Sequence, residues 1–148
     1  MKPIAVTAKL AVAPQPKLSD FQEFRRFGFT TVVNNRPAGE DTTQLGSAVE
    51  AEAARSAGLG YVHIPVTATG TTEQDARLLK KTIDQAPGPV VAHCRSGARA
   101  FYLWVLSGDL NPLSDEELLA KATELGVDTN AARTWLAAHR NGSGGDHE

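Results

Sequence analysis

The sequence predicts an α/β domain: a central, mainly parallel sheet with helices on both faces. Three observations carry this. Short apolar runs at 10–13, 30–34, 60–66 and 89–92 alternate with amphipathic stretches of helical period, the pattern that parallel strands and their crossover helices leave in a sequence. Glycines and prolines mark stops and turns between these runs, as at Pro14, Pro16, Gly28, Gly58 and Pro87-Gly88. A chain of 148 residues, 41% hydrophobic, is enough for one proper core and too short for two ordinary ones.

Taken in order, residues 4–7 and 10–13 read as two short edge strands, stopped by Pro14 and Pro16. Ser19 is the candidate N-cap of a helix running to Phe27, where Gly28 ends it. Thr30 to Asn34 is a strand, and a loop containing Pro37 and Gly39 leads to a helix from about Ser47 to Ala57, closed by Gly58. Gly60 to Val66 is the next strand. Thr71 or Thr72 caps a helix that reaches about Gln85, and Pro87-Gly88-Pro89 turns the chain into a buried strand from Pro89 to Ala92. A helix starts at Ala98, and two more follow, the first announced by Ser114 and Glu117 spaced as a capping box. The folded domain is expected over 1–140, with 141–148 as a disordered tail.

A net charge of −2 with 15 basic residues spread along the chain gives no broad field for nucleic acid or an anionic membrane, so neither is expected as a partner. No apolar run is long enough to span a bilayer, and the first residues lack the apolar core of a signal peptide. A single cysteine excludes an internal disulfide, and a reducing cytoplasm is the default expectation. Four histidines in no ligand-like spacing give no reason to expect a metal or other cofactor. The oligomeric state is not readable.

That cysteine is the chemically informative residue. Cys94 lies between the strand ending near Ala92 and the helix starting at Ala98, with Arg95 one residue and Arg99 five residues beyond it. The first N–H groups of a helix have no partner within the helix and point back at such a turn. Ser96, Gly97 and Ala98 are small enough to let loop amides converge on one bound oxyanion. Two guanidiniums, these amides and the helix dipole all favour the thiolate, the nucleophilic form of cysteine. A lone cysteine is more often inert core, but two flanking arginines are foreign to an apolar core.

His93 to Arg99 (His93-Cys94-Arg95-Ser96-Gly97-Ala98-Arg99), with Asn35-Arg36-Pro37-Ala38-Gly39-Glu40 and Tyr61-Val62-His63-Ile64-Pro65-Val66 upstream, resemble the phosphatase-like domain of the beta-lactamase-hydrolase-like family, over roughly Ala5 to Leu136. The resemblance implies a fold similar to dual-specificity phosphatases, with the cysteine loop between strand and helix. It also implies sulfur metabolism as one setting, because such domains are found fused to persulfide-oxidising metal hydrolases.

Two departures from the phosphatase pattern matter. The tyrosine and dual-specificity enzymes space cysteine and arginine one residue further apart and commonly place a hydroxyl residue after the arginine; here Ala100 follows Arg99. They also carry an aspartic acid after the strand corresponding to Tyr61–Val66, where this chain has Thr67-Ala68-Thr69-Gly70. Without that general acid, phosphatase activity is expected to be weak unless Glu40, Asp41, Glu73 or Asp75 substitutes. The six-residue loop from Cys94 to Arg99 resembles that of rhodanese sulfurtransferases instead. A thiolate that attacks the outer sulfur of thiosulfate or a persulfide expels a group that leaves without a proton.

The expectation from sequence is therefore sulfur transfer through a Cys94 persulfide, with Arg99 as the main oxyanion ligand and Arg95, Ser96, Gly97 and Ala98 lining the cradle. The substrate would be a small anion (thiosulfate, a persulfide or a phosphate ester), and with no second cysteine the thiol acceptor must come from outside. Phosphate-ester hydrolysis through a cysteinyl-phosphate is the enzymatic alternative, and an oxyanion-binding module without turnover the second. Arg36, after the 30–34 strand, is either a third positive group at the site or the partner of Glu40 across the Pro37–Gly39 turn. His93 either hydrogen-bonds the loop and helps fix the thiolate, or is a buried histidine satisfied by backbone groups. His63, His139 and His147 are not ligand candidates, and Trp104 and Trp135 sit at helical spacing as core residues.

Overall fold

The structure is a computed structural model and describes residues 2–42, 44–67, 72–106 and 114–138. Five strands form one sheet: β1 (Ile4–Ala5), β2 (Leu10–Ala13), β3 (Thr31–Asn34), β4 (Gly60–His63) and β5 (Val90–His93). Their order is β1-β2-β5-β3-β4, and every pairing is parallel except β1 with β2. Six helices lie among the described residues: α1 (Leu18–Arg26), α2 (Ser47–Ser56), α3 (Glu73–Gln85), α4 (Ala98–Leu106), α5 (Asp115–Glu124) and α6 (Thr129–Leu136).

Alternation along the strands divides the core in two. Val32 and Val91 face Phe21, Phe24, Ala54 and Leu59 of the α1 and α2 side. Val12, Val33, Val90 and Ala92 face the other way, against Leu79 and Ile83 of α3, Phe101 and Trp104 of α4, Leu118 of α5 and Leu136 of α6. A central strand buried on both faces reads as a continuous apolar run, which is why β5 shows no polar alternation. The expected α/β architecture with helices on both faces is what forms.

Several boundaries differ from the sequence expectation. Leu10–Ala13 is an interior strand, all four residues buried, because β5 pairs along its other side; of the two strands expected as edges, β1, two residues long, is the one that lies at an edge. Helix α1 is capped from Lys17, not Ser19: the Asp20 carboxylate accepts from the Lys17 N–H at 2.8 Å. β5 starts at Val90 because Pro89 has no N–H to give the ladder. β4 ends at His63, although Ile64 and Val66 still donate to the Asn34 and Asn35 carbonyls at 2.9 Å. The caps of α3 (Thr72 Oγ1 accepting from Asp75 N–H) and α5 (Ser114 and Glu117 bonding each other's N–H groups) are those read from sequence. The expected tail at 141–148 lies outside the described residues, as do His139 and His147.

Register sets the site. Ala13, His93, Asn34 and His63 lie in one row across β2, β5, β3 and β4. The residues just after them leave the sheet at one rim, the carboxyl ends of parallel strands, where α/β folds place their ligands.

Candidate active site

The Cys94 loop opens at that rim. Cys94 is fully buried, and its backbone N–H donates to the Ala13 carbonyl. The chain then turns through exposed Arg95 and Ser96 into Gly97, which adopts φ 99°, and α4 begins at Ala98. A positive φ is nearly free for glycine and costly for other residues. It aims the Gly97 N–H back at Cys94 Sγ, 3.0 Å away. The sulfur is thus seated under the first turn of a helix, with an amide already donating to it.

Arg99 stands beside this loop, in the first turn of the helix. Its Nη1 donates to the Val66 carbonyl at 2.9 Å and to Glu40 Oε2 at 2.6 Å, and its Nη2 donates to Glu40 Oε1 at 2.9 Å. The hydrogen bond to Glu40 raises the Arg99 pKa further, and the nearby Cys94 sulfur adds to the effect. Glu40 in turn is held down to about 2, first by Arg99 and then by Arg36.

Arg36 is the second guanidinium on Glu40. It is 3% exposed; its Nε donates to Glu40 at 2.8 Å, its Nη2 to Asp41 at 2.6 Å and its Nη1 to Gln15 Oε1 at 3.0 Å. Burial opposes its charge, but the hydrogen bonds to the two carboxylates outweigh that and raise its pKa. Of the two roles considered for Arg36, the pairing with Glu40 is the one that forms. Its reach to the loop runs through Glu40, because all three nitrogens of the guanidinium are engaged.

A buried polar cluster that the sequence did not disclose lies beneath the loop. His93 and Glu50 are both fully buried and pair at 2.7 Å through Nε2 and Oε1. Glu50 also accepts from Gln15 Nε2 at 2.8 Å and from the Tyr61 hydroxyl at 3.2 Å. Three donors on one carboxylate compensate its loss of water. Tyr61 itself accepts from Asn34 Nδ2 at 2.9 Å, and burial pushes its hydroxyl up to about 12. The other nitrogen of His93, Nδ1, lies 3.3 Å from the Cys94 carbonyl oxygen. His93 thus meets a backbone group of the loop, as sequence suggested, but its principal partner is a carboxylate. Glu50 stands four residues before buried Ala54 on the inner stripe of α2, the one signal by which it could have been found.

The remaining candidates are placed simply. Ser96 Oγ accepts from the Ala98 N–H at 3.4 Å, as a loop former does. His63 Nε2 bonds the Arg36 carbonyl oxygen at 2.7 Å. Trp104 is core, and Trp135 stacks on Tyr102 with ring centroids 4.5 Å apart. Among the described residues no group of three His, Cys, Asp or Glu side chains is arranged to hold a metal ion. No helix among them is long and apolar enough to cross a membrane.

Comparison with known proteins settles the family. Residues 4–111 match the sequence profile of the phosphatase-like domain of beta-lactamase hydrolase-like proteins. The chain belongs to that family. It is 37% identical over 137 residues to a beta-lactamase hydrolase-like protein of Xylella fastidiosa and 39% identical over 139 residues to one of Agrobacterium fabrum, covering 92% of this chain in both cases. It spans only 32% of the length of either relative. Among solved structures, a Neisseria meningitidis protein provisionally designated a phosphatase superposes with a TM-score of 0.83 at 29% identity, covering 95% of this chain and 99% of that one. The catalytic domain of a Saccharomyces cerevisiae PP-IP phosphatase, solved with citrate, superposes at 0.65 with 11% identity, covering 94% and 92%. The fold is therefore that of the cysteine phosphatases.

Proposed function

We propose that this chain is a cysteine-dependent phosphatase-like hydrolase acting on phosphate monoesters whose leaving group departs without a proton. The observation that carries the reading is the pairing of a buried sulfur, already accepting from the Gly97 N–H, with a guanidinium at Arg99 held in place by a carboxylate. Family membership and the phosphatase fold of its structural neighbours favour this over sulfur transfer, the first expectation from sequence.

In the proposed reaction the Cys94 thiolate attacks phosphorus, an S–P bond forms, and the P–O bond to the leaving group breaks with its electron pair going to the departing oxygen. Arg99, exposed Arg95 and the loop amides of Ser96 to Ala98 hold the other oxygens as charge builds on them. Water then cleaves the cysteinyl-phosphate, releasing inorganic phosphate and restoring the thiolate.

The site's acids define the leaving group. Glu40, held near 2 by two arginines, is ionised at neutral pH and has no proton to give. Asp41 is paired with Arg36. Position 67 is threonine. A general acid typically contributes about 10²–10⁴-fold, so aryl phosphates, whose phenolates leave readily, are favoured over alkyl phosphates.

Sulfur transfer remains a second reading on one specific observation, the six-residue span from Cys94 to Arg99. Intact-protein mass spectrometry after exposure to an aryl phosphate, and separately to thiosulfate, separates the two. The expected outcome is phosphate release or a phosphoryl adduct that Cys94→Ser abolishes. A Cys94-dependent gain of one sulfur atom with no phosphate release overturns the proposal in favour of sulfur transfer, and Cys94-independent anion binding alone makes the loop a binding module.

A further inference from the structure

Next to the Cys94 loop lies a trough of about 490 Å³, walled by Gln15, Pro16, Lys17, Leu18, Ser19 and Leu45. We propose that it is the leaving-group subsite of this enzyme, shaped for an aryl group that carries a second negative charge; the inference rests on the phosphate-ester reading above and names the substrate class for it.

Position is the first argument. Gln15, at one end of the trough, donates its backbone N–H to the Arg95 carbonyl oxygen at 3.1 Å and accepts from Arg36 through its side chain. One wall of the trough is therefore fastened to the oxyanion loop, so a ligand whose phosphoryl group sits over Cys94 has this trough within reach of its organic part. A second trough, lined by Lys2, Phe27, Phe29 and Pro89, lies instead at the opposite ends of the strands.

Composition is the second. Leu18 is 48% exposed although apolar, and with Leu45 and Pro16 it offers a face suited to an aromatic ring. Charge is the third. Lys17, in the wall, and Arg95, on the loop, are exposed cations, and neither forms an ion pair among the described residues. The other two arginines near the loop, Arg36 and Arg99, are already paired with carboxylates. Lys17, two residues along the chain from Gln15, and Arg95, whose carbonyl accepts from the Gln15 N–H, complement a dianionic phosphoryl group plus a further anionic substituent on the ring. A neutral or cationic leaving group would leave Lys17 unmatched.

The test is calorimetric binding to Cys94→Ser, which holds the ligand without turnover, using inorganic phosphate, phenyl phosphate and 4-carboxyphenyl phosphate. Affinity should rise in that order. Lys17→Ala should weaken 4-carboxyphenyl phosphate roughly two- to fivefold relative to phenyl phosphate, the range of an exposed ion pair. Leu18→Ala should weaken both aryl ligands by roughly fivefold relative to inorganic phosphate, the effect of removing part of one apolar contact. Leu78→Ala, an exposed leucine on α3, is the control and should change none of these ratios. If inorganic phosphate binds but the aryl ligands gain nothing, or the Lys17 and Leu18 variants leave the ratios unchanged, the subsite is refuted while the phosphatase reading stands. If inorganic phosphate does not bind and wild type releases none from any ester, the phosphatase reading itself fails and the subsite with it.

Discussion

Glu40→Gln probes how the site is held together. The change keeps the shape of the side chain and removes the charge that two guanidiniums share. In the folded protein the Glu40 carboxyl is lowered from 4.5 to about 2, first by its hydrogen bond to Arg99. A depressed carboxylate pKa contributes stability that is fully present above the unfolded value, here 4.5, and is lost as pH falls through the folded value, here about 2. The shift taken alone corresponds to about 3 kcal/mol at neutral pH. Glu40 is partly open to solvent, its side chain 25% exposed, so screening reduces this to about 1–2 kcal/mol. Urea unfolding of wild type and Glu40→Gln should therefore differ by about that amount at pH 7, and the difference should shrink to less than half near pH 3. Turnover should also fall, by roughly tenfold or more, because a guanidinium that loses its anchor no longer waits where charge develops. A stability difference of the same size at both pH values would refute the electrostatic account. Unchanged turnover would refute the claim that Glu40 positions Arg99.

Three further expectations test neighbouring claims. Glu50→Ala should destabilise the fold by about 3–5 kcal/mol, the cost of stripping a buried ionic partner, and a loss below about 0.5 kcal/mol in urea unfolding would place Glu50 at the surface instead. Gly97→Ala forces a side chain into a backbone with φ 99° and sets its Cβ 3.4 Å from Leu125 Cδ2; a loss of about 1–2 kcal/mol and a larger fall in turnover, as the N–H swings off Cys94 Sγ, should appear together in thermal unfolding and rate measurements. Thr67→Asp should raise alkyl phosphate hydrolysis, by up to about 10²–10⁴-fold, and leave aryl phosphates nearly unaffected; no rise for alkyl phosphates would refute the claim that a proton donor is missing at this position.

Much of this was legible in the chain itself. The alternation of apolar runs and helical stretches reflects a physical need, since each parallel strand must be covered on both faces, and it gave the layers correctly. The cysteine loop was legible because its parts are contiguous. What depended on distance in sequence was not. β2 looked like an edge because its neighbour β5 lies some eighty residues further on, and only the pairing shows that Leu10–Ala13 is enclosed. The bond between Arg36 and Glu40 is local, four residues across a turn, and was foreseen. The second hold of Glu40, on Arg99, spans 59 residues and was not. Glu50 is the sharpest miss: a glutamate between Val49 and Ala51 on a helix reads as a solvated face, and only the arrival of His93, Gln15 and Tyr61 at its oxygens makes its burial tolerable.

The strand order carries a consequence for how the chain is made. β5 is the last of the described strands to leave the ribosome, yet it occupies the middle of the sheet, between β2 and β3. Until residue 93 has emerged, the nascent protein can hold a β1–β2 hairpin and a β3–β4 pair, each with an open edge that invites other chains. Cys94 comes directly after the strand that closes both edges. A ribosome-bound chain that stops short of it is therefore a poor fold, and the nucleophile proposed above enters a scaffold that its own strand has just completed.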